Sequence, residues 1–169
     1  MDAIKPKTYL AQNAMLDAGQ PSGLHYYWKS EYLSEIIDEA IETCIKYAAK
    51  ITSPNTRVNL FHLGGAVRDY DENAMAASHR DAEFVLAINN GWKNPQDSDA
   101  QMRWTVDFWT AMRPLASGGV YVNFLSNDDG QDRVKAAYGA EKYDRLVQLK
   151  NKYDPANRFR MNQNVVPTA

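Results

Sequence analysis

From Leu33 to Ile45 the apolar residues Leu33, Ile36, Ile37, Ala40, Ile41, Cys44 and Ile45 recur at i, i+3 and i+4. Glu35, Asp38, Glu39, Glu42 and Lys46 take the other side. This spacing predicts an amphipathic helix from Ser30, its N-cap, to about Lys50. The preceding residues 1–29, punctuated by Pro6, Pro21 and Gly23, read as irregular, with the aromatic run His25, Tyr26, Tyr27 and Trp28 packed on the body. Residues 58–63 read as a strand stopped by Gly64 and Gly65. Residues 83–88 read as a second, closed by Asn89, Asn90 and Gly91. A second helix is expected over residues 99–112, with Ser98 as its cap and Pro114 past its end. Its Trp104, Phe108, Trp109 and Met112 face the core. Gly118 and Gly119 lead into a third strand, residues 120–124, and a turn follows at 127–130. Two short helices, about 132–138 and 141–153, are parted by Gly139. Asp154-Pro155 breaks the last one, because proline lacks an N–H and turns the residue before it away from helix.

Three or four strands with helices between them fit an α+β class: an antiparallel sheet with helices packed on one face, followed by a C-terminal helical segment. The expected division is an α+β region at 1–127 and a C-terminal segment at 128–169.

Composition narrows the classes. The chain has 169 residues, enough for one domain with a sizeable core, and its 44% hydrophobic and 24% charged residues are those of a globular protein. A net charge of -2 gives no basic field for nucleic acid. No apolar run reaches membrane-spanning length, and the N-terminus lacks the apolar core of a signal peptide, so a cytoplasmic location is the default expectation. The single Cys44 leaves no internal disulfide. His25, His62 and His79 have no metal-ligand spacing, so no metal site is expected. His79-Arg80-Asp81 reads as an ion-paired loop. Asp128 and Asp129, Arg145 and Lys150 read as solvated charges. Neither a G-x-G-x-x-G phosphate loop nor a G-x-S-x-G elbow occurs.

Two groups of polar residues stand out. On a strand over 120–124, Tyr121 and Asn123 share one face, as cavity-lining groups or as a buried hydrogen-bonded pair. Past the Asp154-Pro155 break come Asn157, Asn162, Gln163 and Asn164. Side-chain amides supply donors and acceptors together, so such a cluster either lies against something polar or forms a surface turn.

The run Tyr153-Asp154-Pro155, Asn157, Phe159, Asn162-Gln163-Asn164 resembles the C-terminal signature of the berberine-bridge-enzyme-like, FAD-linked oxidases. So do Gly119 to Phe124, Gly64 to Val67, His79-Arg80-Asp81, Ala137-Tyr138-Gly139, Tyr143 to Leu146 and Tyr27 to Tyr32, in family order over nearly the whole chain. The resemblance implies the family's substrate-binding domain and a last segment that packs on a separate FAD domain. That domain is not expected within these 169 residues, so FAD is implied as cofactor but not as one retained by this chain alone. The resemblance places Tyr121 beside the flavin, where it helps deprotonate a substrate hydroxyl. Free tyrosine has a pKa of about 10, so the role calls for a nearby donor or positive charge. Asn162 is the implied flavin-proximal residue, with Gln163, Asn164 and Asn123 as further cofactor-facing candidates. The implied activity is oxidation of an alcohol, sugar or secondary metabolite once an FAD domain is supplied. A non-catalytic small-molecule or partner-binding remnant, or a truncated gene product, are the alternatives. Expected partners are a small-molecule substrate and either an FAD-domain chain or a second copy. The apolar positions Tyr143, Leu146, Val147, Tyr153, Phe159, Met161, Val165 and Val166 point to self-association or partner binding from about Asp132 onwards.

Overall fold

A computed structural model describes residues 5–168; residues 1–4, part of the stretch expected to be irregular, and residue 169 lie outside the described residues. Three strands form one antiparallel sheet in the order β1–β3–β2: β1 is His25–Leu33, β2 is Arg57–His62 and β3 is Phe84–Trp92. Central β3 pairs along its length with β1, Ser30 opposite Ala87, and with β2, Leu60 opposite Leu86. The α-helices are α1 (Tyr9–Asn13), α2 (Asp38–Ala48), α3 (Ser98–Met112), α4 (Gln131–Tyr138) and α5 (Ala140–Tyr153). The fold is α+β, as the element pattern implied.

Helix α3 lies across one face of the sheet. Its Phe108 and Met112 are fully buried against Leu33, Leu86, Ile88 and Ala40. Each such side chain stabilises the fold by roughly 1.5–3 kcal/mol. Helix α2 packs beside α3, with Tyr47 stacked on Phe108 at 4.8 Å between ring centroids. A second core holds α4 and α5: Val120, Leu125, Val134, Ala137 and Tyr143 are buried, with Val147 and Val165 against them.

The structure moves several elements from where the sequence put them. Residues 25–33 form β1, so Ser30 caps nothing and α2 begins at Asp38. The inward face of β1 carries Tyr27, Lys29, Glu31 and Leu33, and its two charges erase the apolar alternation that marks a strand. The stripe expected to bury α2 is largely outside. Ile37, Ile41 and Ile45 are exposed, while Ala40 is buried and Cys44 half-buried, its thiol pushed up by that burial. Asn89, Asn90 and Gly91 lie within β3 rather than closing it. Buried Asn90 is paid for by Gln101 O, Thr105 Oγ1 and Thr56 Oγ1 at 2.6–3.0 Å, and a Cβ on Gly91 would meet the Tyr26 ring at 2.8 Å. Residues 120–124 are not a strand: Val122–Phe124 is a single 3₁₀ turn.

Candidate functional site

Gly118 and Gly119 both have positive φ, 84° and 77°, a region open to glycine and strained for other residues. They turn the chain off α3 and send it along the outer edge of β1. There Ser117 N donates to Tyr32 O, Ser126 Oγ to Trp28 O and Arg133 Nη2 to Ser30 O. The segment that carries Tyr121 and Asn123 is therefore held to the sheet by hydrogen bonds to the β1 carbonyls on both sides of it. Tyr121 and Asn123 do meet, although not by strand alternation. The 3₁₀ turn brings Asn123 Nδ2 to Tyr121 Oη at 2.8 Å, donating into the phenol oxygen.

Tyr121 borders a cavity of about 360 Å³ on the sheet face opposite α3. Tyr32 of β1, Phe61 of β2, Val85 of β3, Leu63 and Phe124 line it, and His79 and Arg80 close one side. The Tyr121 ring meets Phe124 edge-on at 5.3 Å, and Tyr32 lies against His79 at 5.1 Å. Burial pushes the Tyr32 hydroxyl up to about 12, with Tyr121 adding to the rise and Arg80 opposing it. Tyr32 is thus a fixed neutral donor at neutral pH. A larger polar depression of about 790 Å³ shares His79 and Arg80 as a wall, and two ion pairs line it, Arg68 with Glu83 and Lys142 of α5 with Glu72.

The loop 79–81 is not ion-paired as expected. Among the described residues Arg80 Nη1 donates to Val67 O, its guanidinium stacks on Tyr70, and His79 Nε2 contacts Ala136 O at 2.7 Å. These bonds serve the backbone of the cavity wall.

The C-terminal amides divide. Gln163 Nε2 donates to Leu125 O at 2.9 Å, which brings residues 162–164 next to the Tyr121–Asn123 turn. Asn162 is exposed with a positive φ of 58°, and Asn164 Oδ1 is buried with no hydrogen-bond partner among the described residues. Asp154 organises the break after α5. Its carboxylate accepts from Lys150 Nζ at 2.5 Å and from the Arg158 and Phe159 amides at 2.7 and 3.0 Å. Lys150 is therefore not a solvated charge; Arg145 is exposed as expected. Tyr153, Phe159 and Met161 project into solvent at 72–83% exposure.

Asp128 and Asp129 are the clearest departure. Both are anchors: the Asp129 side chain is buried, and Asp128, although half exposed, is tied to buried partners. Lys29 is 4% exposed, and its Nζ contacts Asp128 Oδ1 at 3.0 Å and Asp129 Oδ2 at 3.1 Å. Tyr27 Oη donates to Asp128 Oδ2 at 2.6 Å, and burial together with that carboxylate drives the Tyr27 hydroxyl far above its ordinary value. Arg133 pairs with Glu31 at 2.9 Å, and Trp109 Nε1 donates to the same carboxylate oxygen. Burial raises Glu31 despite both partners. No local pattern could have joined Lys29 to a pair of aspartates about a hundred positions away. Phe61 was findable, since alternation over 58–63 puts it on one face with Leu63.

Tyr121 and Asn162 are both exposed polar residues, the kind of group that the polar edge of a flavin ring would meet. The buried, unpaired Asn164 Oδ1 is an acceptor that the chain itself does not fill. Gln163, as arranged, points its amide nitrogen into the chain.

Residues 120–166 match the family model described as berberine and berberine like. An FAD-linked oxidoreductase of Dictyostelium discoideum is 29% identical over 161 residues, covering 94% of this chain and 34% of the relative. The FAD-linked oxidoreductase sorD of Penicillium rubens is 30% identical over 157 residues, covering 89% of this chain and 33% of its own length. The berberine bridge enzyme from Eschscholzia californica superposes with a TM-score of 0.76 at 20% identity, over 86% of this chain and 34% of that one. The chain thus spans about a third of the length of the relatives it matches. No described helix is long and apolar enough to cross a membrane.

Proposed function

This chain belongs to the berberine-bridge-enzyme-like family of FAD-linked oxidoreductases, and from that premise we propose that it forms the substrate-facing part of such an enzyme, with Tyr121 as the proton acceptor. The observation that carries the reading is the Tyr121 hydroxyl at the mouth of an apolar cavity, hydrogen-bonded by Asn123. That hydrogen bond fixes where the Tyr121 hydroxyl points, within reach of a substrate in the cavity. FAD, when bound by the remainder of such an enzyme, supplies the hydride acceptor. Tyr121 takes the proton of the substrate hydroxyl. Tyr32 offers a neutral donor across the cavity, and Phe61, Leu63, Val85 and Phe124 exclude water from the reacting carbon. Asn123, Asn162, Gln163 and Asn164 would hold the edge of that cofactor.

The lining also bears on the substrate. A hexose would lose water from several hydroxyls against Phe61, Leu63, Val67, Val85 and Phe124, at about 1–3 kcal/mol for each group left unpaired. An alcohol on a flat apolar skeleton leaves no such group except the one facing Tyr121. The test combines this chain with a family FAD-binding region and follows the oxidised-flavin absorption anaerobically. Bleaching by an aryl alcohol and not by glucose is expected. Bleaching by glucose alone would overturn the substrate reading, and no bleaching by any alcohol class would overturn the catalytic one.

A further inference from the structure

His79 stands where three parts of the candidate site meet. Its imidazole lies against the Tyr32 ring at 5.1 Å between centroids. Its Cε1–Nε2 edge fills the space beside Gly119 that a Cβ would need, 2.3 Å from the position such an atom would take. Gly119 precedes Tyr121 by two residues, and Tyr32 and Tyr121 both line the cavity. One ring therefore touches one tyrosine and the main chain that leads to the other. The ring itself is fixed. Nε2 lies 2.7 Å from Ala136 O, and since a carbonyl only accepts, Nε2 carries the hydrogen and donates it. Beside it Ser78 Oγ donates to Tyr138 O. Both acceptors belong to the last turn of α4, whose carbonyls have no partner within the helix. Arg133 of the same helix bonds Ser30 O and Glu31, so the carbonyl that His79 grips is tied back to β1. The backbone bends to this use. His79 has a φ of 63°, a left-handed value that its side chain makes costly, and its carbonyl accepts from Ala82 N at 3.1 Å.

We propose that His79 is a positioning residue: it sets the spacing between the Tyr32 and Tyr121 hydroxyls and touches no reacting atom itself. The proposal rests on the role given above to Tyr121. A proton acceptor on one side of the cavity and a neutral donor on the other serve one substrate oxygen only at a fixed separation, and a misplacement of about 1 Å costs roughly 10²-fold in rate. The two tyrosines come from different elements, Tyr32 from β1 and Tyr121 from the stretch after Gly119, so their separation is a tertiary property. The His79 ring is a rigid, planar spacer between them. Gly119 answers it from the other side: having no Cβ, it lets the ring reach the main chain. Each of these contacts lies within the chain, and none depends on a surface being open.

His79→Asn tests this, because asparagine holds a left-handed backbone while the ring is removed. Hydrogen exchange on the intact chain reads the placement of each tyrosine through an amide bonded to its carbonyl, Ser117 N to Tyr32 O at 3.0 Å and Phe124 N to Tyr121 O at 2.8 Å. Both amides should exchange faster in the variant while those of β3 keep their protection. In an assembled flavoenzyme the limiting rate of flavin reduction should fall by about 10–10²-fold, with substrate binding little changed. A residue that only stabilises the fold singles out neither these two amides nor the rate, and Tyr47→Leu, in the core on the other face of the sheet, is that control. The wild-type chain gives a reading that needs no variant, a nuclear Overhauser contact between the His79 Hε1 and Gly119 Hα protons. Its absence, unchanged exchange at either amide, or a loss confined to substrate binding would each overturn the proposal. So would a wild-type reduction rate in His79→Asn when Tyr121→Phe is slow. A wild-type rate in Tyr121→Phe as well would remove the proton acceptor instead, and the exchange result would then decide the positioning alone.

Discussion

Replacing Lys29 with methionine tests what holds residues 126–133 against β1. The side chain keeps its length and loses its charge. Lys29 Nζ now joins two carboxylates at 3.0 and 3.1 Å and lies 5.3 Å from the Tyr27 and Trp109 ring centroids. Its loss affects the two aspartates differently. Asp128 is 52% exposed and rehydrates. Asp129 is 4% exposed and keeps the Ser126 amide at 2.8 Å and a long contact to Arg133 Nε at 3.7 Å. Breaking a buried pair from one side costs about 3–5 kcal/mol, and the contacts remaining to Asp129 put this case at the lower end, near 3 kcal/mol. That is a large share of the ~5–15 kcal/mol by which a domain is stable. Neutralising the stranded partner should recover part of it, so Lys29→Met with Asp129→Asn should be less unstable than Lys29→Met alone, with a coupling of about 1–2 kcal/mol. Urea unfolding followed by tryptophan fluorescence measures both, since Trp109 sits on the network. A loss below about 1 kcal/mol for Lys29→Met, the scale of an exposed pair, or strict additivity in the double variant, would refute the view of this cluster as the clamp on residues 126–133.

Two further outcomes follow from single residues. The Asp154 carboxyl is lowered from 3.8 to about 2, first by its bond to Lys150 and then by the Arg158 and Phe159 amides. Because the folded value is depressed, its stabilisation is complete above the ordinary carboxylate pKa and is lost as pH falls towards 2. The Arg158 and Phe159 amide resonances should move with a midpoint near 2, and a midpoint near 3.8 would show that the C-terminal break is not organised by this carboxylate. At Gly119 an added Cβ would lie 2.3 Å from the His79 ring with φ at 77°, whereas at Gly118 it would meet nothing at φ 84°. Gly119→Ala should therefore lower the melting temperature by more than Gly118→Ala, whose strain alone is about 1–2 kcal/mol or ~2–8 °C in a domain of this size; equal losses would mean that the His79 contact is dispensable.

The sequence made the long, regular elements legible and lost those whose logic is tertiary. Helix α3 and the α4–α5 pair carry their own punctuation, in Pro114, Gly139 and Asp154-Pro155, and the structure keeps them within a residue or two. Strand β1 was hidden because Lys29 and Glu31 point inward, which local pattern reads as solvent. Their partners, Asp128, Asp129 and Arg133, look like an ordinary acidic turn and helix start until the fold closes. The same holds for Asn90, a turn signal that is instead a buried strand residue satisfied by α3. At the candidate site, Tyr121 and Asn123 were singled out by a strand that does not form, yet the 3₁₀ turn brings them together. The apolar wall contributed by Tyr32, Phe61 and Val85 belongs to three strands and appears once they pair.

The central claim, that Tyr121 takes the substrate proton, is tested most directly by the rate of flavin reduction in an assembled flavoenzyme containing this chain. Stopped-flow mixing of the oxidised enzyme with an alcohol substrate under anaerobic conditions isolates that step. Tyr121→Phe removes one hydroxyl from a residue that is 38% exposed and leaves the packing against Phe124 in place. The account predicts a limiting rate lower by roughly 10²–10⁴, the scale of general acid–base catalysis, with substrate binding little changed. A limiting rate equal to that of the wild type would contradict it and leave Tyr121 a wall of the cavity.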